Sequence, residues 1–345
     1  MGASVGRELY RGMTRRRVMW ICVMIVFAVV LFFVNATFFM KWSALEALQT
    51  IIFPGSTNKY LLSTVWDYRL PESCFAILAG VALGMAGAEM QTILNNPLAE
   101  PYTLGISMAA AFGASLVIAT GVGGVLLGGY AMVVGAFVMA MVACMGIYLV
   151  ARRKTSDRTT IILAGVALLF LFQALVNAVQ VYGGKDVANT IMFWLFGSLS
   201  RYSDMTPVII LVVAVLLVSI LFAMNLWKLS ALKLGDAKAS SMGIDASKLR
   251  RNTIIGVSVI TAIAVSFTGT IGFVGLVGPH IARMLVGDDQ RFLLPMSALC
   301  GAVFLCGSSV LIKGLDVSLP VGVVTSLVGV PFFLYLILTR RKTIA

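Results

Sequence analysis

The stretch NTIIGVSVITAIAVSFTGTIGFVGLVGPHIA, residues 252–282, decides the fold. Its 31 residues include no Asp, Glu, Lys or Arg. One straight transmembrane helix needs about 20 residues, so the run is too long for one crossing and too short for two full ones. Gly269, Gly272, Gly275 and Gly278 recur every third residue ahead of Pro279. Glycine loosens a helix and proline removes a backbone donor from it, so this spacing favours a kinked or discontinuous helix. The stretch is read as two segments, 252–271 and 272–287, at least one of them short.

The rest of the chain agrees with a membrane setting. Of 345 residues, 60% are hydrophobic and 12% charged, with mean hydropathy +0.99. A soluble chain has about 45–50% apolar and about 25% charged residues, so this surplus cannot be hidden in one core. Uncharged or nearly uncharged runs place further spans at 18–40, 70–94, 102–121, 125–150, 159–182, 205–227, 292–312 and 319–339. The third and fourth are separated only by a glycine cluster (Gly121, Gly123, Gly124, Gly128, Gly129). Arg15–Arg17 and Arg340–Lys342 flank the first and last runs, which puts both termini in the cytoplasm and requires an even number of spans. Two segments in 252–287 then give ten, in a single all-α polytopic membrane domain over 1–345. Under that topology 20 of the 26 Lys and Arg residues fall on the cytoplasmic side. The net charge of +12 is therefore a positive-inside signal facing membrane lipid, and no nucleic-acid partner is expected.

The N-terminal run 18–40 has no small-x-small cleavage site and reads as an uncleaved first span rather than a signal peptide. All five cysteines lie in apolar stretches without a C-x-x-C pair, and read as small hydrophobes. Residues 43–52 and 191–199 are candidate interfacial helices at the outer face. The longest inner loop, 228–251, contains a candidate short helix between Gly235 and Gly243. It is either a docking surface for a cytoplasmic partner or a solvated connector.

Signs of enzyme chemistry are poor. His280 is the only histidine, and no Walker A loop is present, so no enzyme activity, metal or cofactor of its own is expected. Two polar residues stand inside spans. Glu89 follows Gly80, Gly84 and Gly87; it either touches substrate or carries a proton, or is a carboxyl packed against a neighbouring helix. His280 follows Gly278–Pro279 and either lines a pathway or caps a broken helix. The segments NNPLAEP (95–101) and LPVGVVT (319–325) place proline breaks at span ends, as in transport proteins whose helices move against one another.

These stretches, taken in order, resemble the FecCD-type permeases of ATP-driven importers for iron–siderophore complexes, haem and vitamin B12. The matching residues begin at Arg69-Leu-Pro71. Next come Gly80, Gly87 and Gln91, then Asn96, Pro97, Leu98, Ala99 and Pro101, and Leu163–Leu168. Trp194, Gly197, Leu234, Gly235, Asp236 and Gly243 follow, then Gly272, Gly275, Pro279, His280 and Arg283, and finally Pro320, Gly322 and Pro331. The resemblance implies a type II ABC importer permease fold in a bacterial inner membrane. It also implies a second permease copy or homologue, cytoplasmic ABC ATPase subunits that bind the ATP and Mg, and an extracytoplasmic substrate-binding protein. It further implies that Leu234, Gly235, Asp236, Ala239, Met242 and Gly243 couple to the ATPase, and that the fifth span lines the path with a gate near Thr159 and Thr160. The implied cargo is ferric siderophore first, then haem or cobalamin. The chain departs from the family at Glu72 and Lys313, where arginines are usual, at Ser309 in place of Asp, and at Ser318 in place of Glu. The implied binding-protein docking residues are Arg69, Glu72 and Lys313, with Arg69 and Lys313 as the expected salt-bridge donors. The alternative, from another class, is a proton-coupled carrier using Glu89 and His280.

Overall fold

Inside lipid, backbone polar groups must be satisfied within the segment, and the described residues form helices and no strand. The computed structural model describes residues 2–56, 58–122, 127–153, 158–202, 204–317 and 319–340. Gly123, Gly124, Lys154, Ser318, Arg341 and Lys342, each given a place in the sequence reading, lie outside the described residues.

In chain order the helices are α1 (Gly2–Thr37), α2 (Ala44–Ile52), α3 (Lys59–Leu94), α4 (Ile106–Thr120), α5 (Ala131–Ala151), α6 (Arg158–Tyr182) and α7 (Gly184–Leu195). They continue as α8 (Thr206–Ala223), α9 (Leu226–Leu232), α10 (Asp236–Ser241), α11 (Ala246–Thr268), α12 (Val274–Val286), α13 (Gln290–Gly314) and α14 (Val321–Arg340). Seven of these are long and apolar enough to cross a membrane: α1, α3, α5, α6, α8, α11 and α13. Shorter apolar helices occupy α4, α12 and the first part of α14.

The deciding stretch is broken where its glycines predict. α11 ends on Gly269 at φ 76°, and α12 begins after Phe273, itself left-handed at φ 67°. At 13 residues, α12 is about 20 Å long, well under the hydrocarbon thickness. Pro279 lies inside α12 and cannot donate to the Gly275 carbonyl one turn back. Gln91 Nε2 from α3 supplies that bond instead, at 3.4 Å.

α3 is the central post. Its lower half from Ala79 to Leu94 is almost wholly buried, and it passes α13 so closely that a Cβ on Gly80 would strike the Gly301 carbonyl, and one on Gly301 would strike the Gly80 carbonyl. A Cβ on Gly87 would likewise strike the Gly275 carbonyl of α12. Small residues allow this backbone approach, and packing at that distance holds helices together where lipid gives no hydrophobic driving force.

The two largest differences from the sequence expectation are at helix starts. α1 runs back to Gly2, because polar residues extend a helix without registering in hydropathy. α3 begins at Lys59, not at 70: a π turn over Thr64–Arg69 widens the helix just before Pro71 and lets it continue. The interfacial helix expected at 43–52 is present as α2, closed by a Ser43–Glu46 capping box. The one expected at 191–199 starts earlier, as α7, and stops at Leu195.

Candidate functional site

The connector between α8 and α11 is braced rather than free. α10 is short and starts at Gly235, whose φ of 104° few other residues adopt. Its first residue, Asp236, accepts from Arg250 Nη2 at 2.9 Å and from Arg158 Nη2 at 2.5 Å. Arg250 is 4% exposed and also donates from Nε to the Ile93 carbonyl at the end of α3. One carboxylate thus joins α10, α11 and the first turn of α6. Burial opposes the charge of Asp236, but the bonds from Arg250 and Arg158 outweigh it and hold the carboxyl below its usual range. Within α10 Ala239 is fully buried, whereas Leu234 and Met242, on either side of the helix, are exposed. Thr159 is exposed next to Arg158 at the start of α6, with Thr160 beside it.

A second network lies close by. Asp288 receives Lys233 Nζ at 3.0 Å and Arg283 Nε at 2.8 Å, and Arg283 Nη2 reaches Gln91 Oε1 at 3.1 Å. These residues, with Asn95, Asn96 and Pro97, line a cavity of about 340 Å³. The 95–101 segment turns there because Asn95 adopts φ 47° and Asn96 Oδ1 accepts the Leu98 N–H at 2.9 Å. Ala99 is buried and Leu98 exposed. Glu100, 6% exposed in this turn, has its carboxyl pushed up to about 8 by burial.

At the opposite end the three expected docking residues do not behave alike. Glu72 and Lys313 pair with each other, Nζ to Oε2 3.0 Å, with both side chains largely buried. Ser309 Oγ donates to Glu72 Oε1 at 3.2 Å, and Lys313 Nζ also donates to the Asn35 carbonyl at 3.2 Å. Three of the four family departures therefore fall into one local arrangement. Arg69 stands apart and gives Nη2 to the Phe39 carbonyl at 2.9 Å. Every ion pair among the described residues joins groups expected on the same side of the membrane.

Between the ends, the α11–α12 break is stitched to its neighbours. Ser198 N donates to the Thr268 carbonyl at 2.7 Å, Thr270 Oγ1 donates to the Leu195 carbonyl, and Gly322 N donates to the Phe196 carbonyl at 3.1 Å. A Cβ on Gly322 would strike Phe196 O, so Pro320-Val-Gly322 brings α14 in only because residue 322 has no side chain. Gly272 faces open space instead, on a cavity of about 820 Å³ that Glu100, Phe196 and Phe273 also line. A second cavity, of about 530 Å³, lies at the Lys313 end of the same junction.

Glu89 has no exposed surface, and neither carboxyl oxygen has a hydrogen-bond partner among the described residues. His280 is buried in α12, directly after Pro279. The sequence reading missed Arg158 and Arg250 as partners of Asp236, and the Lys233–Asp288–Arg283 cluster. Its only signal for them was a count of positive charges.

Discontinuous helices around cavities, with a braced helical connector at one end, are the build of a transport permease. The FecCD transport family matches residues 18–339, and the chain belongs to that family. It is 36% identical over 305 residues to the cobalamin import system permease protein BtuC of Halobacterium salinarum, covering 88% of this chain and 80% of the relative. It is 32% identical over 322 residues to the hemin transport system permease protein HmuU of Yersinia pestis, covering 92% and 96%. A solved transporter described as of the metal-chelate ABC type, in an inward-facing conformation, superposes with TM-score 0.81 at 26% identity over 93% of this chain and 99% of that one.

Proposed function

We propose that this chain is the permease subunit of an ATP-binding-cassette importer that moves an iron chelate into the cytoplasm of a bacterial cell. Its partners are cytoplasmic ATPase subunits that bind the ATP and Mg, a second permease copy or homologue, and an extracytoplasmic binding protein. Both termini and the α9–α10 connector face the cytoplasm, and the ten apolar segments cross the inner membrane. The observation that carries the reading is Asp236. It ties α10, the candidate coupling helix, to Arg158 beside Thr159 and Thr160 on one side and to buried Arg250 in α11 on the other. Leu234 and Met242 would seat on the ATPase, Gly235 and Gly243 would set the turns around them, and Ala239 would anchor the helix.

ATP binding in the partner would displace α10, and Asp236 would carry that displacement to the first turn of α6. The mechanism requires nucleotide and binding protein to prefer different permease states by their differential affinity. Docking of the binding protein would fall chiefly to Arg69, since Lys313 is occupied by Glu72. The proton-coupled reading needs Glu89 to exchange protons with water, and Glu89 is sealed within the protein.

Gentle purification from the native membrane tests the proposal. An ATPase subunit should copurify with the wild-type chain and be lost from Asp236→Ala. Repeated mild extraction of the bare chain alone would contradict it.

A further inference from the structure

α1 stands at the edge of the bundle. Only 11% of its apolar stretch is buried, and Met19, Val23, Val26 and Val30 are exposed along it. Apolar side chains left open on a spanning helix face lipid. The same helix runs back without a break through Arg17, Arg16, Arg15 and Arg11, which places these arginines at the depth of the lipid headgroups. Trp20, one turn above Arg16, is the kind of ring that marks that layer.

Arg11, Arg15 and Arg16 are exposed, and none makes a hydrogen bond or ion pair among the described residues. Arg11 and Arg15 are one helical turn apart and share a face. Arg17 is used differently. Its Nη1 lies 3.5 Å from Asp289 Oδ2, and its guanidinium lies over the Phe292 ring, 5.2 Å from the centroid. Arg291 Nη2 donates to the same Asp289 oxygen at 2.7 Å, and its guanidinium lies 5.9 Å from the centroid of the same ring. One carboxylate and one ring thus clamp α1 to the start of α13. Asp289 is the only carboxylate that any of the five arginines pairs with among the described residues, and Asp288 beside it is taken by Lys233 and Arg283. The foot of α1 therefore carries a surplus of positive charge where lipid phosphates lie.

We infer that Arg11, Arg15 and Arg16, together with the Arg17–Arg291 clamp, bind the phosphate groups of anionic phospholipids in the inner leaflet. The inference goes beyond the importer reading and does not depend on it; it needs only that α1 enters the membrane at Val18. Basic clusters directly cytoplasmic of a spanning helix attract acidic headgroups, each cation being worth about fivefold in affinity. Arginine suits the task because its planar fork meets two phosphate oxygens at once. A headgroup held there adds to the Asp289 link between α1 and α13.

Native mass spectrometry of the purified full chain in detergent, titrated with phosphatidylglycerol, tests the site. Phosphatidylcholine, with the same phosphate but no net charge, is the control. Phosphatidylglycerol should bind roughly tenfold or more tightly than the control, and this preference should shrink as salt is raised. Arg15→Gln with Arg16→Gln should weaken phosphatidylglycerol by roughly tenfold or more and leave phosphatidylcholine unchanged. Lysine at both positions should keep the preference, and Arg291→Gln, which opens the clamp, should cost a few-fold. If the double glutamine variant does not fold, the lysine variant and the salt dependence of the wild type carry the test. Equal affinity for the two lipids, or for the wild type and the double glutamine variant, would overturn the inference.

Two further arms fix the source of the anion. Inorganic phosphate in excess should not displace the lipid; displacement would make this a site for free phosphate and sink the lipid assignment. Adding the copurified ATPase should leave the lipid bound, and its release would give the arginines to acidic side chains of that subunit instead.

Discussion

The two ends of the bundle spend their charges differently. At the Asp236 end, two carboxylates each join two cations: Asp236 holds Arg158 and Arg250, and Asp288 holds Lys233 and Arg283. These pairs brace the end from within, while Leu234 and Met242 stand exposed among exposed charges such as Lys238 and Lys248. At the Lys313 end one pair closes on itself, and two arginines, Arg69 and Arg201, keep donors unspent. A braced surface with apolar knobs suits a permanent partner that pushes on it. At the Lys313 end a single carboxylate meets a single cation, so that end is the less braced of the two. Between them runs the glycine contact of α3 with α13, which makes the two ends parts of one body.

The largest effect is expected where the ends are joined. Gly301→Leu forces a side chain into the Gly80 carbonyl, a backbone atom that cannot yield. Overpacking costs about 1–3 kcal/mol even where side chains can adjust. Size-exclusion chromatography should show little or no monodisperse protein, and a normal profile would mean the helices can separate without harm.

Asp236→Ala comes next. It strands Arg250, whose side chain is 5% exposed. Removing one partner of a buried pair costs about 3–5 kcal/mol, and the half-exposed carboxylate here lowers that to about 2–3 kcal/mol. Thermal unfolding in mild detergent should shift down by several degrees, and unchanged stability would break the claim that this end is braced. At the other end, Glu72→Gln leaves Lys313 unpaired at a cost of about 1–3 kcal/mol, with ATPase association intact. Lys313→Met added to it should recover part of that loss. If the double variant is worse than the single, the pair does not close on itself.

Acidity sharpens the contrast between carboxyls flanking the same inner turns. Asp236 is held low, so its contribution is present at neutral pH and is lost as pH falls through its folded value. Glu100 moves the other way, from 4.5 to about 8, so the native state binds the extra proton and stability falls as pH rises between those values. The slope approaches about 1.4 kcal/mol per pH unit within that window. Unfolding followed from pH 5 to 8 should flatten in Glu100→Gln, and an unchanged slope would remove Glu100 as its source. The smallest effect on stability belongs to Leu234→Ser, within about 0.5 kcal/mol for an exposed position. That variant should nonetheless reduce the copurified ATPase severalfold, and full retention would mean that Leu234 is a solvated residue.

Much of this arrangement was legible in the sequence because helix breaks are local. Gly269 and Pro279 announced the α11–α12 break, and Gly235 and Gly243 bounded α10. The turn at 95–101 was equally readable from Asn95, Asn96 and Pro97. What escaped was non-local. Asp236 and Arg250 are 14 positions apart, and Arg158 lies 78 before Asp236, and no periodicity links such positions. The pairing of Glu72 with Lys313 was hidden for the same reason, so each departure from the family pattern looked like an isolated loss. The polar start of α1 and the passage of α3 through Pro71 also escaped, since hydropathy marks where lipid begins and not where a helix does.

The central claim is that this chain conducts cargo because an ATPase acts on the Asp236 end. It is tested most directly by reconstituting the chain with its copurified ATPase and binding protein in sealed proteoliposomes and following uptake of radiolabelled ferric citrate. The account predicts uptake that requires ATP on the α10 side, survives a protonophore and is abolished by Asp236→Ala. Uptake that proceeds without ATP and collapses with the protonophore would contradict it and return the function to Glu89 and His280.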